Sequence, residues 1–468
     1  MSVLWQESAR GLAAKIAARE VSSREVIEAH LERIAAVNDK LNAVVLVLAD
    51  SAREAADAAD AKVKSGAPLG PLHGVPITVK ANVDLVGSPT THGVPAFAEA
   101  FPSEDAPVTE RMKAAGAIPI GRTNLPDMGL RVHTVSALYG LTKNPWNPAV
   151  TTGGSSGGEA SALASGMSPL GLGNDIGGSL RNPAFCCGIA SLKPGRGRIP
   201  WASAIEPRSP LLAAQMMAVE GPMARHVADV RLGFSVLAGE HPRDPESVPA
   251  PLRGPDLARP IKVAVVPDPP GGTTDPAISA GVRAAAKALA DAGYKVEEVT
   301  PPLVEEAIAV WSDWLCWEFG AISGQMAQIM SDEAMGFFRE FVSSRGEPSY
   351  AGGVELQIRR HMVARAWSEF FTRYPLILGP TWCQPQFAHG ADVAPGGSEM
   401  VANTFRFVLP MNLLGLPVAC VPVGTANGLP LGVQIIGNRF REDLCLDAGE
   451  AIEARLGRIT PIDPRQGE

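Results

Sequence analysis

The chain has 468 residues, 46% hydrophobic and 19% charged, a globular rather than a disordered composition. Its 41 basic and 49 acidic residues leave a net charge of −8, which argues against a nucleic-acid partner, because phosphate binding needs clustered Lys and Arg. No stretch offers ~20 uninterrupted apolar residues, so no membrane span is expected; the charged N-terminus lacks an apolar run of signal-peptide length, and a cytoplasmic location is expected.

The first 65 residues are predicted mainly helical. Val26, Ile27, Leu31 and Ile34 share one helix face, and Ser22 with Glu25 three residues on forms a capping-box start. The β-branched run PLHGVPITVK reads as a strand whose end delivers Lys80. Residues 107–116 read as a helix and 117–120 as a buried strand. Gly153–Gly158 is a Gly/Ser loop, 159–166 a helix of small residues, and Gly171–Ser179 a second Gly-rich loop. Cys186 and Cys187 are adjacent, and the six cysteines lack any C-x-x-C spacing, so buried reduced thiols are expected.

The Pro-rich stretch 241–260 reads as a surface connection. Beyond it come a strand at 261–266, a helix at 278–292 and a strand at 295–299, an alternation that indicates α/β layers. Residues 303–373 are predicted helical and carry Trp311, Trp314, Trp317, Phe319, Phe337 and Phe338; they suit a helical cap over a site. Strands are expected at 376–378, 418–423 and 432–436, with a closing helix at 442–456. Strands on both sides of the Pro-rich stretch look equally buried, so residues 1–468 are read as one domain.

Two loops carry candidate chemistry: Gly153-Gly154-Ser155-Ser156-Gly157-Gly158 and Asp175-Ile176-Gly177-Gly178-Ser179-Leu180-Arg181. A serine hydroxyl is a weak nucleophile until a base takes its proton, and flanking glycines let backbone N–H groups aim at a developing oxyanion. None of the eight histidines shares a local motif with these serines. A lysine at the end of an apolar strand is a candidate base, since burial disfavours the ammonium and a neutral lysine can accept a proton near pH 7.

The segments GGSSGGEASALASG and GNDIGGSLRNPA resemble the amidase signature, with 24 residues separating Ser155 from Ser179. PLHGVPITVKANVD, AAGAIPIGRTNLPDMG, YGLTKNPWNP, IASLKPGRGRIP, PMNLLGLPVACVPVG and GLPLGVQIIG resemble further blocks of that family, in order along the chain. The resemblance implies an amidase signature fold, with a mixed central β-sheet flanked by helices on both faces. It implies Ser179 as nucleophile, Ser155 as a bridging serine after a cis peptide bond, and Lys80 as base. It further implies an oxyanion hole from the N–H groups of Ile176, Gly177, Gly178 and Ser179, loop support from Asp175 and Arg181, and pocket lining by Met128, Gly129 and Leu130.

The activity so implied is hydrolysis of amide-like C–N bonds in a small-molecule amide, anilide or aryl carbamate through an acyl-enzyme, with no metal or organic cofactor. The chain departs from the family in having Ala81 where Asp usually follows the lysine, Thr152 where Pro or Ala is commoner, and Cys420 where Ser is common. The missing acid beside Lys80 is expected to ease its deprotonation. Two other readings remain at this point. Ser156 formally fits G-x-S-x-G of an α/β-hydrolase, which needs a strand directly before it. An amidotransferase component, which works in a complex to supply ammonia, belongs to the same family.

Overall fold

The computed structural model describes residues 3–205, 209–343 and 348–466. The N-terminal part contains α1 (Ala9–Ala17), α2 (Ser23–Leu41), β1 (Val44–Val47), α3 (Ala49–Ser65), β2 (Pro76–Lys80), α4 (Pro107–Ala114) and β3 (Ile118–Thr123). A small ribbon, β4 (Val135–Ser136) and β5 (Gly140–Leu141), precedes α5 (Gly157–Ala164), β6 (Leu170–Asp175), α6 (Arg181–Cys187), β7 (Ala190–Lys193), α7 (Leu212–Met217), β8 (Val219–Ala224) and α8 (Val227–Leu237). After the Pro-rich connection come β9 (Lys262–Val265), α9 (Pro276–Asp291), β10 (Lys295–Glu298), α10 (Val304–Met326), α11 (Asp332–Ser343), α12 (Tyr350–Phe371) and β11 (Leu376–Pro380). The chain closes with α13 (Gly397–Phe405), α14 (Leu409–Leu413), β12 (Val418–Ala426), β13 (Leu429–Gly437) and α15 (Glu442–Leu456).

Among the described residues eleven strands form one mixed sheet in the order β1-β3-β2-β6-β8-β7-β12-β13-β11-β9-β10. Strands from both sides of the 241–260 connection therefore share it. The parallel junctions are β2 with β3 and β6, and β9 with β10 and β11. Helices cover both faces, as expected for the α/β class. On one face Leu12, Met112, Phe234, Val282 and Ile452 pack over the sheet; on the other, Leu163, Phe185, Trp311 and Trp367 do so. All six cysteines are buried and none is in a disulfide.

The capping box that starts α2 is present, with the Ser22 side chain accepting from Glu25 N and the Glu25 side chain accepting from the Ser22 backbone. Two expectations change. Val44–Val47 is strand, not helix, because it completes the sheet edge beside β3, a pairing that local sequence cannot show. Residues 171–175 belong to strand β6 rather than to a loop. The glycine at 171 reflects a close approach: a Cβ there would lie 1.8 Å from the Glu159 carboxyl. The segment α6 to α8, which local patterning left unassigned, supplies two central strands.

The fold points specific side chains at one place. Along β2 successive side chains alternate faces: Ile77 and Val79 enter the apolar layer under α1, α4 and α8, while Thr78 and Lys80 turn to the opposite face. There Thr78 donates to Glu159 of α5, and Thr123 of β3 donates to the other oxygen of the same carboxyl at 2.8 Å.

Candidate active site

Lys80 ends β2 with no exposed surface. Its Nζ donates to Ser155 Oγ and to Asn174 Oδ1, each at 2.7 Å. Burial pushes the ammonium down to about 7, against the opposing pull of Asp175, Glu159 and Glu220. Buried acids of β6, α5 and β8 thus surround Lys80, where the adjacent Ala81 offers no carboxylate. Even so, desolvation wins, so a large fraction of the amine is neutral near pH 7; an unperturbed lysine would be neutral to only about 0.03% there.

Ser155 follows a cis peptide bond from Gly154. Ser156 N–H donates to Ser179 O at 3.3 Å, which ties the two loops side by side. Ser179 is 8% exposed and borders a cavity. No hydrogen bond joins its hydroxyl to Ser155 among the described residues.

The 175–181 loop is shaped from within. Asp175 accepts from Gly178 N at 2.7 Å, from Leu180 N at 3.2 Å and from Arg181 Nε at 3.0 Å. Asn412 Nδ2 adds a further bond at 2.9 Å. Burial alone would raise the Asp175 carboxyl, but the Arg181 guanidinium overrides it and holds the group well below the usual carboxylate range. Arg181 is fully buried and also donates to Val408 O, Gln434 and Asn412. Both residues face the loop's interior and neither borders the cavity. Gly178 has φ +100°, and a Cβ there would meet the Asn182 side chain at 2.5 Å, so glycine is required. Its N–H, however, is committed to Asp175, which removes it from the set of oxyanion donors expected from the sequence.

The cavity bordered by Ser179, Ile176 and Gly177 holds about 170 Å³, against roughly 10–15 Å³ needed to seat one water. Gly129 and Leu130 line it; Met128, with φ +54°, packs against the apolar core instead. Four of the six aromatics flagged in the sequence, Trp311, Phe319, Phe337 and Phe338, form its wall, joined by Phe341 and Phe405. Trp314 instead donates to Glu318 at 2.9 Å, and the Trp317 ring lies against Gly352 of α12. Trp311 lies over Gly177 and donates to Ile176 O at 3.1 Å. In a trans peptide C=O and N–H point oppositely, so this bond turns the Gly177 N–H away from α10. Among the described residues no histidine lines the cavity.

Sequence reasoning passed over Asn174 and Arg131. Asn174 stands directly before Asp175, a position whose only signal was its place in the motif. Arg131 borders the cavity, pairs with Asp392 and reaches Glu333 of α11 at 3.0 Å. Ser156 is fully buried behind the loop, its Oγ facing Asn174 O. The residues before it are coil, not the strand that an α/β-hydrolase elbow needs.

Fold and site together define a hydrolase of the amidase signature class. The family model described as Amidase matches residues 25–446, and the chain belongs to this family. It is 44% identical to an indoleacetamide hydrolase of Bradyrhizobium diazoefficiens over 97% of this chain and 87% of that one. It is 33% identical to a glutamyl-tRNA(Gln) amidotransferase component of Acidothermus cellulolyticus, over 98% and 97% of the two chains. A bacterial aryl acylamidase structure of the amidase signature family superposes with a TM-score of 0.83 at 27% identity, over 97% of each chain. The protein is therefore an amidase, a hydrolase of carbon–nitrogen bonds in amides. Among the described residues no helix is long and apolar enough to cross a membrane.

Proposed function

We propose that the chain hydrolyses small primary amides carrying an aromatic group on the acyl side, of the arylacetamide type, through an acyl-enzyme on Ser179. The observation that carries this reading is the buried 2.7 Å contact from Lys80 Nζ to Ser155 Oγ, set beside a serine that opens onto an aromatic-walled cavity. Neutral Lys80 takes a proton from Ser155 as Ser155 takes one from Ser179, and Ser179 Oγ attacks the carbonyl carbon. The Ser155–Ser179 contact closes as substrate binds, since catalytic hydrogen bonds commonly tighten in the Michaelis complex. The N–H groups of Ile176, Gly177 and Ser179 receive the oxyanion. Removing one such donor typically costs ~10²–10³ in turnover. The proton held on Lys80 returns through Ser155 to the leaving nitrogen, and ammonia departs. Water then attacks the acyl carbon by the same relay, releasing the acid and Ser179.

The 44% relative named for indoleacetamide favours an aromatic acyl group, whereas the aryl acylamidase relative, at 27%, favours an aromatic amine. Aryl carbamates offer the same carbonyl and nitrogen leaving group to the relay. The amidotransferase reading has the weaker support, at 33% identity. A hydrolysis screen decides among them, using indole-3-acetamide, phenylacetamide, acetanilide, an aryl carbamate and glutamine, with Ser179→Ala as control. Indole-3-acetamide and phenylacetamide should lead. Acetanilide leading would move the aromatic group to the amine side, and glutamine leading would restore the amidotransferase reading.

A further inference from the structure

We propose that Asn174, oriented by Asn82, is the residue that aims the Lys80 amine, so that its lone pair faces Ser155. The proposal rests on Lys80 being the base. Three contacts carry it. Lys80 Nζ donates to Ser155 Oγ and to Asn174 Oδ1, each at 2.7 Å, and Asn174 Nδ2 donates to Asn82 Oδ1 at 3.0 Å.

The chemistry of the groups sets the direction of each bond. An ammonium has three donors and no acceptor, so the Asn174 atom that faces it is the amide oxygen. The Asn174 nitrogen then faces outward and needs an acceptor, which Asn82 Oδ1 supplies. Asn174 cannot turn its amide around without putting a donor against a donor and leaving Asn82 Oδ1 unmatched.

When Lys80 is neutral it keeps two N–H groups and one lone pair. Asn174 Oδ1 accepts from one N–H in either protonation state. With that N–H pinned, only the second N–H and the lone pair compete for the direction of Ser155 Oγ, and the lone pair there receives the proton. Without Asn174 the neutral amine loses the partner that holds one N–H away from Ser155, and its lone pair faces Ser155 in a smaller share of its rotamers. The groups that act electrostatically with Lys80 are Asp175 beside Asn174, Glu159 of α5, Glu220 of β8 and His92 of the loop after β2. All four are unchanged in the variants below, so a moved pH profile reports the Asn174 contact.

The test measures kcat and KM for indole-3-acetamide from pH 5 to 10 in wild type, Asn174→Asp, Asn174→Ala, Asn82→Ala and Lys80→Ala. Melting temperatures verify folding. In Asn174→Asp a carboxylate replaces the amide against Lys80 and favours the ammonium, so the acid limb of kcat/KM should move up by about one unit or more. In Asn174→Ala kcat should fall roughly 10–100-fold, a part of the ~10²–10⁴ that proton transfer contributes as a whole, with KM changed less than about twofold. Asn82→Ala, at a half-buried site, should lower kcat several-fold in the same manner. If neither residue-174 variant folds, Asn82→Ala decides alone, and an unchanged kcat overturns the proposal. An unmoved acid limb in folded Asn174→Asp, with Lys80→Ala inactive, also overturns it. Activity retained in Lys80→Ala would instead remove the base on which it rests.

Discussion

The loops bearing Ser155 and Ser179, with the β2 end that delivers Lys80 behind them, and the helices α10 and α11 that face them are built of opposite materials around one cavity. On the loop side nearly every polar atom is spoken for: Asp175 alone accepts from Gly178, Leu180, Arg181 and Asn412. On the helix side the wall is aromatic, joined to the loops among the described residues by few directed bonds, among them Trp311 to Ile176 O, Ser331 N to Asp127 and Arg131 to Glu333. A saturated polar network admits one geometry, because a broken partner leaves a buried group unsatisfied. An apolar wall tolerates changes of shape at modest cost. The loops are thus suited to fix the reaction and the helices to choose the substrate.

This contrast is sharpest in its largest expected effect. Ser179→Ala should lower amide turnover by about 10⁶-fold, as loss of a serine nucleophile does elsewhere, with the melting temperature nearly unchanged. A fluorophosphonate should label the wild type at Ser179. Labelling at Ser156 would break the assignment.

Lys80→Ala should cost ~10²–10⁴ on an amide and less on 4-nitrophenyl acetate, whose leaving group needs no proton. The wild-type profile carries a sign. Lys80 must be neutral to act, and burial sets it at about 7, so kcat/KM should rise with pH through that value and level off above it. A fall over that range would mean that the protonated amine is the active form.

Arg181→Ala tests the polar side through stability rather than rate. It leaves the fully buried Asp175 carboxylate without its cation, and breaking a buried pair costs about 3–5 kcal/mol, read in urea unfolding. A loss below about 1 kcal/mol would show that the Gly178, Leu180 and Asn412 donors suffice alone.

Phe337→Ala should have the smallest effect and the most selective one. The ring is half-buried and lines the cavity. Losing roughly 50–80 Å² of contact at ~25 cal/mol per Å² gives about 1–2 kcal/mol, or ~10-fold in kcat/KM for phenylacetamide, with acetamide unaffected. Equal losses on both substrates would place the ring in the structural core rather than in specificity.

Legibility followed the same division. The candidate catalytic segments were readable because their signals are local: glycines beside the serines, a lysine closing a β-branched run, and motif blocks that resemble one family. The capping box of α2 and the closing helix at 442–456 were legible for the same reason. The strand at 44–47 and the pair β7–β8 were not, because their partners lie far along the chain and short apolar runs do not declare their pairing. The aromatic segment was readable as helical, but its pattern could not separate Trp311 of α10 and Phe337 of α11, which line the cavity, from Trp314 and Trp317 of α10, which do not.

By itself, then, the sequence determined the family and the α/β layering, and through the family resemblance it named Lys80, Ser155 and Ser179 as the candidate reacting groups, since motif blocks in a fixed order carry that information. Tertiary structure decided what those groups are in chemical terms. Burial sets the Lys80 amine near neutrality, and Asn174 holds it from the neighbouring strand. Asp175 claims the Gly178 N–H that the motif alone would have given to the oxyanion. The physical reason is that desolvation and hydrogen-bond competition depend on which atoms surround a group, and most of those atoms come from elsewhere in the chain.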